Sequence, residues 1–197
     1  MIGFILAGGA SRRMGRSKAF LDLGGVTVIE RIASVLNRIF PEVAISTSVP
    51  EQYEHLGLPV YVDLVSGCGP LGGIYSVLKQ SPESANFFIP CDMPFVREDH
   101  IRSLMDVASP ADVVLYRHEY FEPLLAIYTR NCLGAIETML AEGTYSVLDL
   151  FPRVNVHEVA FTEDRSAFLS VNTPEDYRVA LERFHMTSSV ASAGGGA

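Results

Sequence analysis

The chain has 197 residues and 48% hydrophobic content, enough for one complete α/β core. Its formal charge of −8 excludes a broad nucleic-acid surface, because such surfaces neutralise many phosphates with a basic stripe. Three cysteines, Cys68, Cys91 and Cys132, are odd in number and lack C-x-x-C spacing, which fits a reduced cytoplasmic protein better than a disulfide framework or zinc site.

In chain order, the first predicted element is the apolar strand from Gly3 to Ala7. It is too short to span a membrane and has no basic flank before it, so neither an anchor nor a signal peptide is expected. It runs into Gly8-Gly9-Ala10-Ser11-Arg12-Arg13-Met14-Gly15-Arg16-Ser17-Lys18. Glycines without Cβ let backbone N–H groups close on phosphate oxygens, and spaced cations neutralise a polyphosphate. A nucleoside triphosphate is the expected ligand, with Lys18 and the arginines Arg12, Arg13 and Arg16 available to supply the charge, the residues alone not choosing among the three. The spacing is not that of a P-loop, since Gly15 is followed by Arg16, and no G-x-G-x-x-G is present.

Thr27 and Glu30 read as a capping box that opens a helix with the apolar stripe Ile29, Ile32, Ala33, Leu36 and Ile39. Strands follow at 43–46 and 60–62, the second running into Asp63 and the loop Gly67-Cys68-Gly69-Pro70-Leu71-Gly72-Gly73. A helix with Leu71, Ile74, Tyr75 and Leu78 precedes the buried strand Phe87-Phe88-Ile89, which ends in Pro90-Cys91-Asp92-Met93-Pro94. Asp92 at that exit suits Mg²⁺ bridging a triphosphate, since Mg²⁺ favours one or two carboxylates with phosphate oxygens and water. The alternative is an aspartate that caps a helix near Val96. Cys91 reads as a small buried residue and not as a nucleophile.

Next come a helix with Ile101, Leu104 and Met105, strands at 113–116 and 124–128, and a helix with Leu133, Ile136 and Leu140. Thr173, Pro174, Glu175 and Asp176 supply an N-cap, a first-turn proline and first-turn acids before the stripe Tyr177, Ala180, Leu181 and Phe184. His55, His100, His118, His157 and His185 show no ligand spacing and are expected on the surface or in loops. The alternation predicts a three-layer α/β sandwich, a mostly parallel sheet with helices on both faces, as one domain over 1–187 with a flexible tail over 188–197. In such sheets ligands sit beyond the carboxyl ends of the strands.

The residues Leu6-Ala7-Gly8-Gly9, Ser11, Arg13-Met14-Gly15 and Lys18 closely resemble the signature of the molybdenum cofactor guanylyltransferases, and the likeness runs from Leu6 to about Asp176. The resemblance implies a Rossmann-like fold of the nucleotide-diphosphosugar transferase type. Leu6, Ala7, Gly8, Gly9 and Lys18 would then bind the nucleotide, Lys18 and Arg13 would hold the triphosphate and stabilise the departing pyrophosphate, and Cys91-Asp92-Met93-Pro94 would match Cys-Asp-x-Pro, whose aspartate is an essential metal ligand. Asp63 would contact the nucleotide, with Gly69 and Gly73 shaping the base pocket. Glu122 in Glu122-Pro123-Leu124, and Asn172 in Asn172-Thr173-Pro174-Glu175-Asp176, would lie on the acceptor side; Ser170 stands where many members have a second asparagine.

The implied reaction is transfer of GMP from Mg-GTP to the terminal phosphate of molybdopterin, with release of pyrophosphate. Transient contact with molybdoenzymes or their chaperones is implied as well, with no nucleic acid or membrane partner. Cytidylyl transfer to molybdopterin or a sugar phosphate is the nearest alternative, but cytosine-using relatives tend towards Thr-Ala-Ala-Gly where this chain has Leu6-Ala7-Gly8-Gly9. A non-catalytic nucleotide-binding module is the other alternative, and intact Lys18 and Asp92 argue against it.

Overall fold

A computed structural model describes residues 1–8, 17–107, 110–162 and 165–193. Its strands are β1 (Gly3–Leu6), β2 (Val43–Thr47), β3 (Val60–Val62), β4 (Ala85–Pro90), β5 (Val113–Arg117), β6 (Phe121–Thr129) and β7 (Val156–Ala160). Its α-helices are α1 (Val28–Leu36), α2 (Gly69–Gln80), α3 (Glu98–Met105), α4 (Leu133–Glu142) and α5 (Pro174–Ala193). Among the described residues the strands form one seven-stranded sheet in the order β3-β2-β1-β4-β6-β5-β7. Parallel pairing links β3, β2, β1 and β4, and also β5 with β7. Only β6 runs against its neighbours, and the reason is local: Arg117 pairs with Phe121 across a connection too short for a crossover, so the chain can only fold back.

Strand alternation splits the core between two faces. Ile5, Phe87, Ile89, Val114 and Ile127 pack with α1, α3 and α5, while Phe4, Leu6, Phe88, Val113, Leu115 and Ala126 pack with α2 and α4. This is the predicted three-layer arrangement, built by apolar residues that point to opposite sides of each strand.

The predicted capping box of α1 is present: Glu30 N donates to Thr27 Oγ1 at 3.4 Å and Thr27 N donates to Glu30 Oε2 at 2.8 Å. The stripe residues Ile29, Ile32, Ala33 and Leu36 are buried, and Ile39 lies past the helix end. At α5, Asp176 N donates to Thr173 Oγ1 at 3.1 Å and Thr173 N donates to Asp176 Oδ2 at 2.8 Å, a second reciprocal cap.

Several features depart from expectation. β7 has no period-2 signal because it is an edge strand with exposed residues towards both faces. Met105, expected in the α3 stripe, is 37% exposed at the last position of the helix. His100, expected at the surface, is 2% exposed on α3, where its Nδ1 accepts from Arg97 N at 3.2 Å and its ring packs edge-on against Phe161 and Phe168. α5 continues to Ala193, so the segment expected as a flexible tail begins as helix, which serine and alanine tolerate once a helix is nucleated. Residues 194–197 lie outside the described residues. No described helix is long and apolar enough to cross a membrane.

Gly3 sits in β1 between two strands, and a Cβ there would lie 2.6 Å from Cδ2 of Phe40, whose buried ring stacks on Phe87 at 5.3 Å. Gly3→Ala should therefore lower stability by about 1–3 kcal/mol in urea denaturation. An unchanged midpoint would show that the Phe40 ring yields freely.

Candidate active site

The ends of β1, β2, β3 and β4 converge on a cleft of about 350 Å³, within the range of small-molecule sites. Leu6, Ala7 and Gly8 from the β1 exit, Ser46 from β2, Asp63 after β3, Gly69 and Gly73 from α2, and Asp92 after β4 all line it. Lys18 completes this group from the opposite end of the glycine-rich segment. The structure thus brings together most of the residues expected to bind a nucleotide. Gly9 and Arg13, with Arg12 and Arg16, lie outside the described residues.

Local packing explains each placement. Ala7 N donates to Ser46 O at 2.8 Å, and the Ala7 carbonyl accepts from Tyr53 Oη at 3.1 Å and Thr47 Oγ1 at 3.3 Å, which pins the β1 exit. Lys18 opens a single 3₁₀ turn whose Ala19 is fully buried and whose Phe20 packs against Tyr53, so its backbone is anchored while its side chain reaches the cleft. Asp63 N donates to Thr47 O at 3.0 Å, and Ser46 Oγ donates to Asp63 Oδ1 at 3.1 Å. A Cβ on Gly8 would lie 3.1 Å from Asp63 Oδ2, and one on Gly73 would lie 3.2 Å from both Leu6 Cδ2 and Ser46 Oγ. Glycine at these positions keeps the cleft open. Gly69 has φ +56°, which glycine adopts without strain, and it starts α2 beside Pro70.

Charge is sparse and partly desolvated. Burial pushes the Asp63 carboxyl above the usual carboxylate range, with the Ser46 hydroxyl pulling the other way. Burial likewise raises Asp92, opposed by the Lys18 charge and a hydrogen bond from Ser170. Lys18 Nζ lies 3.9 Å from Asp92 Oδ2 and donates to Asn172 Oδ1. Burial drives the Cys91 thiol up to about 12, so this cleft residue is neutral and unsuited to nucleophilic work, as expected. Among the described residues Asp92 caps no helix: α3 starts later and its cap involves Arg97 and His100.

Neither acceptor-side residue lines the cleft itself: Asn172 reaches it through Lys18, whose Nζ donates to Asn172 Oδ1, whereas Glu122 pairs elsewhere, with Oε1 2.7 Å from His118 Nε2. Sequence reasoning passed over Ser17, Tyr53, Pro90 and Leu124, which also line the cleft. Ser46, which with Thr47 turns an apolar strand polar at its carboxyl end, carried a signal that could have found it.

A cleft beyond parallel strand ends, entered by glycines, one lysine and two half-buried carboxylates, defines an α/β protein built to bind a phosphorylated nucleotide. Residues 3–158 match the MobA-like NTP transferase domain, and the chain belongs to that family. It is 41% identical to a Pelotomaculum thermopropionicum protein named "Probable molybdenum cofactor guanylyltransferase", covering 88% of each chain. It is 33% identical to the molybdenum cofactor guanylyltransferase of Syntrophotalea carbinolica, over 95% of this chain and 96% of that one. Among solved structures it resembles molybdopterin-guanine dinucleotide biosynthesis protein A from Archaeoglobus fulgidus, with TM-score 0.83, 26% identity, and coverage of 94% of this chain and 100% of that one.

The raised Asp63 carboxyl makes a stability prediction. Its folded-state proton is held more tightly than the unfolded one, so wild-type stability rises as pH falls through the raised value and is lowest above it. Asp63→Asn should melt at a higher temperature than wild type at neutral pH, with the gap closing on acidification, as followed by circular dichroism. A variant that melts lower at neutral pH would mean that the Ser46 hydrogen bond outweighs the burial cost.

Proposed function

We propose that this protein transfers GMP from GTP to the terminal phosphate of molybdopterin, forming the guanine dinucleotide cofactor and pyrophosphate. The observation that carries the reading is the pairing of Lys18 and Asp92 at the mouth of the strand-end cleft, in a chain whose relatives bear the guanylyltransferase name. A phosphate oxygen of the acceptor attacks the α-phosphorus, and the bond from that phosphorus to the bridging oxygen of the β-phosphate breaks. Since the attacking phosphate is already an anion, no serine or histidine base is required.

Lys18 neutralises the triphosphate and then the departing pyrophosphate, while Gly8 and Gly73 let the nucleotide approach the backbone of β1 and α2. Asp63, held by Ser46, presents an acceptor oxygen to the nucleotide. Asp92 suits Mg²⁺: it is a single carboxylate at the strand exit, beside the cleft expected to hold phosphate oxygens, and its burial favours a neighbouring cation. When bound, Mg²⁺ would supply charge neutralisation on the triphosphate. The free state of Cys68, Cys91 and Cys132 suits a cytoplasmic setting, where transient contact with a molybdoenzyme or its chaperone would deliver the product.

Calorimetry with GTP, CTP, ATP and UTP in Mg²⁺ should give selective GTP binding. With molybdopterin, Asp92→Asn should lower turnover by at least ~10²-fold while the circular dichroism spectrum is retained. Selective CTP binding would change the product to a cytosine dinucleotide, and full turnover by Asp92→Asn would remove the carboxylate from its metal role.

A further inference from the structure

The segment that completes the site lies beyond residue 158, where the family match ends. Val171 N donates to the Asp92 carbonyl at 2.8 Å, which ties this segment to the β4 exit. Asn172 Oδ1 accepts from Lys18 Nζ. The backbone holding Asn172 is fixed by one carboxylate: Asp176 Oδ2 accepts from Asn172 N at 2.9 Å and from Thr173 N at 2.8 Å. A lysine carries four rotatable carbons and loses considerable rotamer freedom when it must meet a ligand. A fixed acceptor beside the cleft removes that cost before the ligand arrives.

We propose that Asn172 and Asp176 form a positioning clamp for Lys18: the Asp176 carboxylate locks the Asn172 backbone, and the Asn172 carboxamide holds the Lys18 ammonium beside Asp92. Asp176 also caps α5, and that role alone predicts loss of helix stability without any change at Lys18. The clamp predicts a change at Lys18 itself.

The chain has two lysines, Lys18 and Lys79, so an NMR spectrum selective for lysine ε-methylene groups contains two sets of signals, assigned by Lys79→Arg. In the ligand-free protein the Lys18 ε-protons should be inequivalent and displaced from those of exposed Lys79. Asp176→Ala and Asn172→Ala should each collapse the Lys18 signals towards the exposed-lysine position, and Asp176→Asn, which retains an acceptor oxygen, should restore them in part. Asn172→Ala leaves the α5 cap in place and decides the matter if Asp176→Ala does not fold. Lys18 signals unmoved by Asn172→Ala, or by a folded Asp176→Ala, would overturn the clamp.

A second readout rests on the nucleotide reading above. Asp176→Ala should weaken Mg-GTP binding about tenfold, the worth of roughly one hydrogen bond, and should have no further effect in a Lys18→Ala background. Equal losses in both backgrounds would show that Asp176 does not act through Lys18. Failure of the wild type to bind any nucleotide would remove the proposed reaction, and the lysine spectrum would still decide the clamp.

Discussion

The site depends on one constraint, the in-register parallel ladder of β2, β1 and β4. Leu6 pairs with Ser46 on one side and Pro90 on the other, so three strands end at the same level. The ladder is prolonged past the strands by Ala7 N to Ser46 O and Cys91 N to Leu6 O, at 2.8 and 3.1 Å. Gly8, Ser46 and Asp92 therefore share one cleft without any long loop to bring them together. A slip of one residue in β1 would exchange Ile5 with its neighbours Phe4 and Leu6 between the two core faces. The apolar core that forbids this slip is the same core that aligns the chemistry.

That alignment sets stability against function. Asp63 and Asp92 are both pushed up by burial, and a desolvated carboxylate weakens the fold unless a cation or donor stands near it. Ser46 serves Asp63, while Ser170 and Lys18 serve Asp92. These partners only partly offset burial, since both carboxyls stay raised. The cleft is thus most comfortable when a further positive charge enters it, which favours the triphosphate and metal reading proposed above.

Much of this was legible in the sequence because it is local. The Thr27 and Glu30 box, the apolar strands, and the carboxylates immediately after β3 and β4 are set by residues within a few positions of one another. What escaped is set by distant partners. Lys18 and Asn172 meet across 154 positions, and no spacing rule connects them. His100 looked like a surface histidine because burial on α3 comes from Phe161 and Phe168, far along the chain. β7 lacked alternation because its place at the sheet edge leaves it half solvated. Glu122 was expected from the resemblance on the acceptor side, and its short-range pairing with His118 is decided by how the chain turns back between β5 and β6.

The reversed strand also gives the site its second half. β4 has parallel β1 on one side and antiparallel β6 on the other, so Asp92, just past its end, stands where the sheet changes direction. The β1 side supplies glycines, Ser46 and Asp63; the β6 side supplies Leu124, which the register from Phe88 and Ala126 carries to the level of Pro90. A transfer between two phosphates needs two binding regions that touch at one point. In a uniformly parallel sheet the strand beyond β4 would repeat the surroundings of β1. Reversal of β6 instead brings a strand start, with different side chains, to the boundary that Asp92 marks, so the cleft has two unlike walls, as the proposed transfer between a donor and an acceptor phosphate would need.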